Sequence, residues 1–213
     1  MVFCRPSFTK EQKEQMLVSK HIDLKAAAEY RQIDNSVKVL LLGPGESGKS
    51  TILKQIHSIF NNGFDDDERR GFVPIVRENL FTAIKTLLEM TDVLAERGLK
   101  GTKISKKSEA IKNEILNFCS VEEVTDWKKV NFGFCNKTSK LWTEEKGLKV
   151  VYENRSMYHL TGSGDYFIRK AVSIGSSEYV PTILDVMSAR IKTTGISEKF
   201  FKIGSNGFRV FDV

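Results

Sequence analysis

The chain has 213 residues, of which 40% are hydrophobic and 28% charged, and a formal net charge of +6. This length can bury a real core in one or two domains, and the composition is that of ordinary soluble globular proteins. The positive charges are scattered and form no stripe interleaved with aromatic residues, which excludes nucleic acid as the expected partner, whereas a weak attraction to an anionic membrane surface is compatible with them.

The cysteines and the apolar runs indicate the compartment. Cys4, Cys119 and Cys135 are odd in number and show neither metal nor disulfide spacing, which indicates a reducing environment. We interpret Cys119 and Cys135 as core thiols. The longest apolar run is far too short to span a bilayer, and the N-terminus lacks a signal-peptide core. We therefore expect a protein that is cytosolic or peripheral on a membrane.

The first 36 residues carry a polar helical pattern. Residues 10–30 read KEQKEQMLVSKHIDLKAAAEY, which predicts a largely exposed, amphipathic helix. Such a helix either contacts a partner or a membrane, or is a solvated leader, and the pattern leaves both interpretations open. Val2 stands where N-myristoylation requires glycine, which excludes that modification and leaves Cys4 as a candidate for palmitate.

Residues 37–51 contain the strongest motif of the chain. An apolar run over residues 37–42 predicts a buried parallel strand. It leads into GPGESGKS, which matches the phosphate-loop pattern G-x-x-x-x-G-K-[ST], with a helix predicted to begin near Lys49. We expect Gly43, Gly45 and Gly48 to adopt positive φ and to let the backbone approach a ligand closely.

This loop has the chemistry of a nucleoside triphosphate site. Its N–H groups and the positive end of the following helix bind phosphate, and Lys49 adds a charge at the β- and γ-phosphates. The Ser50 hydroxyl can ligate Mg²⁺. The alternative is a glycine-rich strand-to-helix turn that binds nothing. The apolar strand before the loop and the helical TILKQIHSIF after it favour the nucleotide site.

Beyond residue 60 the pattern becomes helical. The acidic stretch at 61–71 is interpreted as a domain boundary. A long helix is predicted over residues 72–97, with Pro74 near its start and Gly98 after its end. Further helical patterns occur at 108–119, 121–130, 140–145 and 148–160, after a solvated basic loop at 100–107. Because nothing here alternates like a strand, residues 63 to about 185 are predicted to form an all-helical module inserted into another domain.

The end of the chain predicts strands again. Two apolar runs, at 198–203 and 208–213, flank a Ser-Asn-Gly turn, which is typical of a β-hairpin. The second run carries Asp212 near its carboxyl end, where open α/β sheets bind their ligands.

Four motifs resemble the α subunits of heterotrimeric G proteins. They are GPGESGKST (43–51) with its extension ILKQI, EYVPTILDV (178–186), the first switch ARIKTTGI (189–196), and FRVFDV (208–213) at the start of the second switch. The helical insertion between the phosphate loop and the first switch separates this family from small Ras-like GTPases. The resemblance implies an α/β fold, a Ras-like phosphate-loop GTPase domain (incomplete here) with an inserted all-α helical domain.

The resemblance also implies domain boundaries. Residues 1–36 would be an N-terminal helix in contact with βγ or a membrane, and residues 37–62 the first part of the GTPase domain. Residues 63–186 would be the inserted helical domain, and residues 187–213 the first switch and the start of the second.

Site residues follow from the same resemblance. Arg190 is expected to be the catalytic arginine finger that stabilises charge on the γ-phosphoryl group, a role for which this family is itself the standard example. Ser50 and Thr193 would complete the Mg²⁺ shell, and Asp212 would hold it through water. Without the resemblance, Arg190 would be interpreted as part of a surface salt bridge. The expected nucleotide contacts are Gly43, Pro44, Gly45, Glu46, Ser47, Gly48, Lys49, Ser50, Thr51, Ser163, Met187, Ser188, Ala189, Arg190, Ile191, Lys192, Thr193 and Asp212.

The sequence departs from the family pattern at two places. Residues 160–163 read Leu-Thr-Gly-Ser where family members carry Leu-Asn-Asp-Ser facing the nucleotide, so the aspartate is absent. Met187 and Ser188 replace the usual Leu-Arg before the first switch. The sequence also stops at Val213, before the family's Gly-Gly-Gln, Asn-Lys-x-Asp and Thr-Cys-Ala-Thr motifs and its receptor-binding C-terminal helix.

From this we expect the sequence to be either part of a longer protein or a truncated relative of the family. By itself the chain is expected to be a poor GTPase and to discriminate poorly between guanine and adenine. Its three strands give at most a three-stranded sheet, which should leave Leu40, Val210 and Phe211 open to water.

The implied function is a guanine-nucleotide switch that couples G-protein-coupled receptors to effector enzymes or channels. GTP or GDP would be the ligand, Mg²⁺ the cofactor and the βγ dimer a partner. The protein would lie on the cytoplasmic face of the plasma membrane, with a cytosolic pool and Cys4 as its lipidation site. One alternative is a truncated, non-catalytic subunit that binds βγ or acts as an inert or dominant module. Another is an unrelated phosphate-loop ATPase or kinase, which the ARIKTTGI match disfavours.

Overall fold

The computed structural model describes residues 9–34, 36–120, 130–160, 162–191 and 195–212. The chain divides into two compact units. The first unit consists of Met1–Asn61 and Thr193–Val213, and the second of Asn62–Lys192. Within the described ranges, no helix is both long and apolar enough to cross a membrane. In chain order the elements are α1 (Lys10–Asp34), β1 (Val37–Leu41), α2 (Lys49–Phe60), α3 (Asp66–Gly71), α4 (Val73–Glu96), α5 (Glu109–Ser120), α6 (Phe132–Glu144), α7 (Lys146–Glu153), a 3₁₀ turn (Arg155–Met157), α8 (Gly164–Arg169), α9 (Ala171–Ile174), α10 (Ile183–Ser188), β2 (Ser197–Ile203) and β3 (Asn206–Asp212).

The first unit contains a three-stranded sheet in the order β1-β3-β2. β1 pairs with β3 in parallel and β2 pairs with β3 antiparallel, which confirms the predicted hairpin. The turn itself is Gly204 and Ser205 rather than Ser-Asn-Gly, because Ile203 already pairs with Asn206. Gly204 has φ +59°, as glycine does at the first central position of a type II′ turn.

Helix α2 covers one face of this sheet. Leu53 of α2 is buried together with Phe201 and Val210, and the ring of Phe201 stacks on those of Phe60 and Phe208 at 5.5 Å between centroids. Apolar area that this packing removes from water stabilises the folded unit by about 25 cal/mol per Å². The core of the first unit is therefore small and one-sided.

The predicted burial of the first strand is wrong. Val37 and Leu40 of β1 are 51% and 53% exposed, because β1 lies at the edge of the sheet and Leu40 points away from α2. The expectation that Leu40 is open to water is thus confirmed. It fails for Val210, which is only 2% exposed because β3 is the central strand and this side chain faces α2. Phe211 is half-buried, with the guanidinium of Arg209 lying 5.4 Å from its ring centroid.

Helix α1 confirms the exposed helix predicted for the first 36 residues. Its large apolar side chains at Met16, Leu17, Val18, Ile22 and Leu24 are each more than half exposed. Exposed apolar side chains on a helix are what a partner or membrane surface can cover.

The second unit is helical in every regular element that the structure describes. The long helix predicted at 72–97 is confirmed as α4, and it buries Leu80, Ile84, Leu87 and Leu88 completely. These side chains recur at i+3 and i+4 steps, so they form one continuous apolar stripe. Helices α5, α7 and α8 pack against α4, which makes α4 the centre of this core.

The structure differs from the helical prediction, or leaves it untested, at three places. The acidic stretch at 61–71 does contain the predicted boundary, between Asn61 and Asn62, but it also contains α3, because Asp65 and Glu68 form a reciprocal capping box with bonds of 2.8 and 3.1 Å. The helix predicted to reach residue 160 ends at Glu153 and is followed by a 3₁₀ turn. The helix predicted at 121–130 falls almost wholly on residues 121–129, which lie outside the described ranges.

Of the two expected core thiols, Cys135 is buried, and burial raises its pKa to about 11. A thiol with so high a pKa is inert at neutral pH. The side chain of Cys119 lies outside the described part of the chain, as does Cys4.

A buried carboxylate organises the end of the second unit. Asp185 is fully buried and completes a capping box with Thr182 at the start of α10. Its Oδ1 accepts bonds from Tyr166 Oη at 2.6 Å and from Lys170 Nζ at 2.5 Å. Burial opposes its ionisation, but the bonds from Lys170, Tyr166 and Thr182 prevail and lower its pKa to about 2. Asp185 thus anchors α10, which leads directly to Arg190.

Candidate nucleotide-binding site

The phosphate loop connects β1 to α2, as its sequence predicts. Helix α2 begins at Lys49, directly after the loop. The Lys49 ammonium donates hydrogen bonds to the carbonyl oxygens of Gly43 at 2.8 Å and Pro44 at 3.2 Å, and the Ser47 N–H donates to Pro44 at 3.3 Å. The loop therefore curls around its own lysine, which places a positive charge at the start of the helix.

The backbone conformation of the loop differs from the expected one. Of its three glycines only Gly48 has positive φ, at +91°. The other loop residue with positive φ is Glu46, at +67°. Gly43 is needed for close approach, since a Cβ there would lie 2.6 Å from Ser47 Oγ. Gly45 has ordinary φ and open space around it, so the expectation of positive φ is wrong for Gly43 and Gly45.

Two of the three residues expected to hold Mg²⁺ lie together in the first unit. Ser50 Oγ donates to Asp212 Oδ2 at 2.7 Å, across 162 residues of sequence. The parallel pairing of β1 and β3 causes this contact, because Leu41 pairs with Asp212 and the phosphate loop leaves the sheet at the same end. Asp212 is almost fully buried. The third expected donor, Thr193, lies in residues 192–194, outside the described ranges, together with Lys192.

A hydroxyl and a carboxylate are hard oxygen ligands of the kind that Mg²⁺ prefers. Among the described residues, no cluster of three or more His, Cys, Asp or Glu could hold a metal ion by itself. A magnesium site with Ser50 as a ligand and Asp212 acting through water fits the mode in which phosphate oxygens and waters supply most of the ligands.

Lys54 is a feature that the sequence analysis missed. It lies one turn after Ser50 on α2, is 7% exposed, and has its pKa lowered to about 8 by burial. The signal in the sequence was its position on the apolar side of α2, one residue after the buried Leu53.

Apart from Asp212, Lys192 and Thr193, the residues expected to contact nucleotide from outside the loop lie in the second unit. Met187 and Ser188 end α10, Ala189 is buried, and Arg190 and Ile191 are exposed. Ser163 Oγ donates to the Ser188 carbonyl oxygen at 2.6 Å, so Ser163 holds this segment.

Arg190 is held through its backbone. Its N–H donates to Asn79 Oδ1 at 2.7 Å, and its carbonyl oxygen accepts from Asn79 Nδ2 at 2.9 Å. Sequence reasoning assigned no role to Asn79. The available signal was an amide three residues after Val76, on the apolar side of α4.

A strand, a glycine-rich loop that encloses a lysine, and a helix beginning at that lysine define a phosphate-loop protein. Comparison with known proteins narrows this class. The G-protein alpha subunit family matches residues 16–213. The human guanine nucleotide-binding protein subunit alpha-15 (Homo sapiens) is 31% identical over 210 residues, which cover 99% of this chain and 54% of the relative.

The chain therefore belongs to the G-protein alpha subunit family. It spans about half the length of the curated relative that it matches. Family membership overturns the alternative of an unrelated phosphate-loop ATPase or kinase, and it implies a Ras-like fold, with which the small mixed sheet agrees.

Proposed function

We propose that this chain is the nucleotide-binding part of a guanine-nucleotide switch that binds GTP and GDP with Mg²⁺ and hydrolyses GTP. The contact between Ser50 and Asp212 carries the proposal, because it joins the phosphate loop to the strand that leads into the second switch. In a switch of this class, ordering of the switch segments depends on the γ-phosphate, and hydrolysis releases them.

Each residue of the site has a proposed role. The loop residues Gly43 to Thr51 wrap the phosphates, with Lys49 as the cation. Ser50, Thr193 and, through water, Asp212 would hold Mg²⁺, which would neutralise phosphate charge when bound. Arg190 stabilises the charge that develops on the transferred phosphoryl group. The remaining nucleotide contacts are Ser163, Met187, Ser188, Ala189, Ile191 and Lys192.

We propose that the protein works with a βγ dimer, a G-protein-coupled receptor and effector enzymes or channels at the cytoplasmic face of the plasma membrane. The exposed apolar side chains of α1 support a contact with βγ or lipid. One acyl chain on Cys4 would anchor the protein only marginally, so attachment would also need βγ. Cys4→Ser should therefore move protein from the membrane to the soluble fraction of cells, and unchanged fractionation would refute the lipidation.

The proposed site is tested by the dependence of nucleotide affinity on Mg²⁺. We expect Mg²⁺ to tighten the binding of a fluorescent GTP analogue to the purified chain, and Ser50→Ala to remove most of this gain. The reason is that the variant loses a magnesium ligand while Lys49 and the loop N–H groups remain. Titrations with 5 mM Mg²⁺ and with excess EDTA measure the gain.

Ser58→Ala is the matched control, because Ser58 lies about 12 Å further along α2 at 1.5 Å per residue. It should keep the full effect of Mg²⁺. If Ser50→Ala and Ser58→Ala respond equally to Mg²⁺, the proposed magnesium site is wrong. Competition by unlabelled GTP and ATP, which differ only in the base, shows in the same assay whether the base is discriminated.

We further propose that Asn62–Lys192 is the inserted helical domain and folds independently, since its core is built around α4 from its own residues. Expressed alone, it should give a helical circular-dichroism spectrum and a cooperative urea transition. Asp185→Asn should lower its free energy of unfolding at pH 7 by about 2 kcal/mol, the scale of hydrogen bonds to a charged group.

This difference should depend on pH in one direction. Asp185 has a folded-state pKa of about 2, below its unfolded value of about 3.9. Its stabilisation is therefore complete above about pH 5 and is lost as the pH falls toward 2. The wild-type and Asp185→Asn domains should converge in stability between pH 5 and pH 2. A strand-rich spectrum would refute the domain, and a constant difference would refute the role of the Asp185 carboxylate.

A further inference from the structure

The backbone of Arg190 is bound on both sides by one buried side chain. Asn79, which is 8% exposed, accepts a bond from the Arg190 N–H and donates one to the Arg190 carbonyl oxygen, at 2.7 and 2.9 Å. Its second amide hydrogen bonds the Ile75 carbonyl oxygen at 2.8 Å, one turn earlier on α4. The residues joined are 111 positions apart in sequence.

The orientation of this amide is fixed by its partners. The Arg190 N–H can only donate, and the carbonyl oxygens of Arg190 and Ile75 can only accept. Turning the amide over would place a donor against a donor and an oxygen against two carbonyls. Asn79 therefore has a single arrangement that satisfies all three backbone groups.

Binding both the N–H and the C=O of one residue fixes its backbone position and rotation together. The direction of the Cα–Cβ bond, and so the region that the side chain can reach, follows from the backbone. Arg190 is itself exposed. The long arginine side chain can adopt many rotamers, so a fixed backbone position matters for where its guanidinium is placed.

Two further bonds hold the chain just before Arg190. Ser163 Oγ donates to the Ser188 carbonyl oxygen at 2.6 Å, and the Ala189 N–H donates to the Asp185 carbonyl oxygen at 2.9 Å. The segment is thus tied to the second unit at successive residues, and the Asn79 contact is the one at Arg190 itself.

We propose that Asn79 is a positioning residue for Arg190: its amide fixes the Arg190 backbone so that the guanidinium meets the transferred phosphoryl group in the right place. This inference rests on the catalytic role proposed for Arg190. Asn79 touches neither nucleotide nor phosphate in this scheme, and acts only through the arginine.

The first test measures hydrolysis. Asn79→Ala in the whole protein should slow single-turnover hydrolysis of bound GTP by about 10²-fold, the loss that a misplacement of about 1 Å causes. GTP affinity should change less than about threefold, because Arg190 acts mainly in the transition state. Asn79→Asp, which keeps the size but places a carboxylate oxygen against two carbonyls, should behave similarly and serves if Asn79→Ala does not fold.

The matched control is Thr91→Val, which also removes a buried polar group from α4. Thr91 is fully buried, donates to the Leu88 carbonyl oxygen and accepts from Lys112, about 18 Å along the helix from Asn79. It should match Asn79→Ala in lost thermal stability and leave hydrolysis unchanged. Equal slowing in both variants would overturn the proposal, since the effect would then follow stability alone.

The second test separates positioning from a general structural role. In an Arg190→Ala background, adding Asn79→Ala should cause no further slowing, because Asn79 has no arginine left to position. Further slowing of about 10-fold or more would overturn the proposal. In parallel, hydrogen exchange of the Arg190 amide should become at least about 10-fold faster in Asn79→Ala and stay unchanged in Thr91→Val, since a hydrogen-bonded amide is protected from exchange. Unchanged exchange at Arg190 would also overturn the proposal.

These outcomes separate the inference from the function on which it rests. If Arg190→Ala leaves hydrolysis unchanged, the catalytic role of Arg190 is wrong and the positioning role falls with it. If Arg190→Ala slows hydrolysis and Asn79→Ala does not, only the positioning role is wrong.

Discussion

Arg190→Cys is expected to slow single-turnover GTP hydrolysis by the whole protein about 10³-fold or more, the scale of arginine fingers in phosphoryl transfer. The guanidinium offers five N–H donors in a planar fork, which match the oxygens of the transferred phosphoryl group as their charge grows. A thiol offers neither charge nor fork. Because the interaction forms mainly in the transition state, GTP affinity should change little.

Two controls define this result. Arg190→Lys keeps the charge but loses the fork, so it should fall between the wild type and Arg190→Cys. Arg97→Cys, at an exposed arginine where α4 ends, should hydrolyse GTP at the wild-type rate. Rapid-quench measurement with prebound nucleotide separates hydrolysis from product release. A wild-type rate in Arg190→Cys would leave this arginine with a structural role only.

The elements predicted well are those that local patterns determine. The stripe from Val76 to Leu88 fixes α4, since only a helix brings residues at i+3 and i+4 steps onto one face. The hairpin follows from two apolar runs around a glycine turn, and its register needs only neighbouring residues. Local sequence was therefore enough for these parts of both units.

The errors arise where tertiary position decides. An apolar run like that of β1 is typical of a strand covered on both faces, yet Leu40 lies on the face that α2 does not cover. Val210 has the same apolar character but faces α2, so it is buried. Which face is covered depends on neighbouring elements, and alternation along a single strand cannot reveal it.

One helix was missed that the sequence could have shown. The acidic stretch at 61–71 is interpreted as a domain boundary, and the division between the two units does fall there, between Asn61 and Asn62. The stretch also contains α3, which is signalled by Asp65 and Glu68 standing three residues apart as a capping box requires. Negative side chains also stabilise the first turn of a helix. Acidic composition at this position therefore favours a helix start.

In the candidate site, too, local sequence predicts some residues, whereas others depend on tertiary structure. The motif alone identifies Lys49 and Ser50, because the spacing of the loop sets their chemistry. The contact of Ser50 with Asp212 depends on the parallel pairing of β1 with β3, which joins segments 162 residues apart. Asn79 could not be connected to Arg190 from sequence, since a single amide on an apolar stripe reads as a tolerated core residue. Only the packed helical unit brings these two residues together.

Lys49→Ala is expected to weaken GTP binding to the chain about 10²-fold. Two charge-assisted bonds to phosphate would each contribute about 1.5–3 kcal/mol, and each 1.4 kcal/mol is a factor of ten. The lower end applies, because the ammonium first has to leave the carbonyl oxygens of Gly43 and Pro44, which it already bonds at 2.8 and 3.2 Å. Fluorescence titration with a labelled GTP analogue measures the loss.

The comparison that decides the role of Lys49 uses ligands with different numbers of phosphates. A lysine that acts on the β- and γ-phosphates should matter greatly for GTP, less for GMP and not at all for guanosine. Lys38→Ala removes an exposed lysine from β1 of the same unit, and it should leave all three affinities unchanged. If Lys49→Ala weakens guanosine and GTP equally, the lysine only holds the loop together through its two carbonyl bonds. The Lys49 charge acts directly on phosphate if two results are found together. Lys49→Ala should weaken the binding of GTP but not of guanosine, and the GTP affinity of the variant should depend less steeply on salt than that of the wild type.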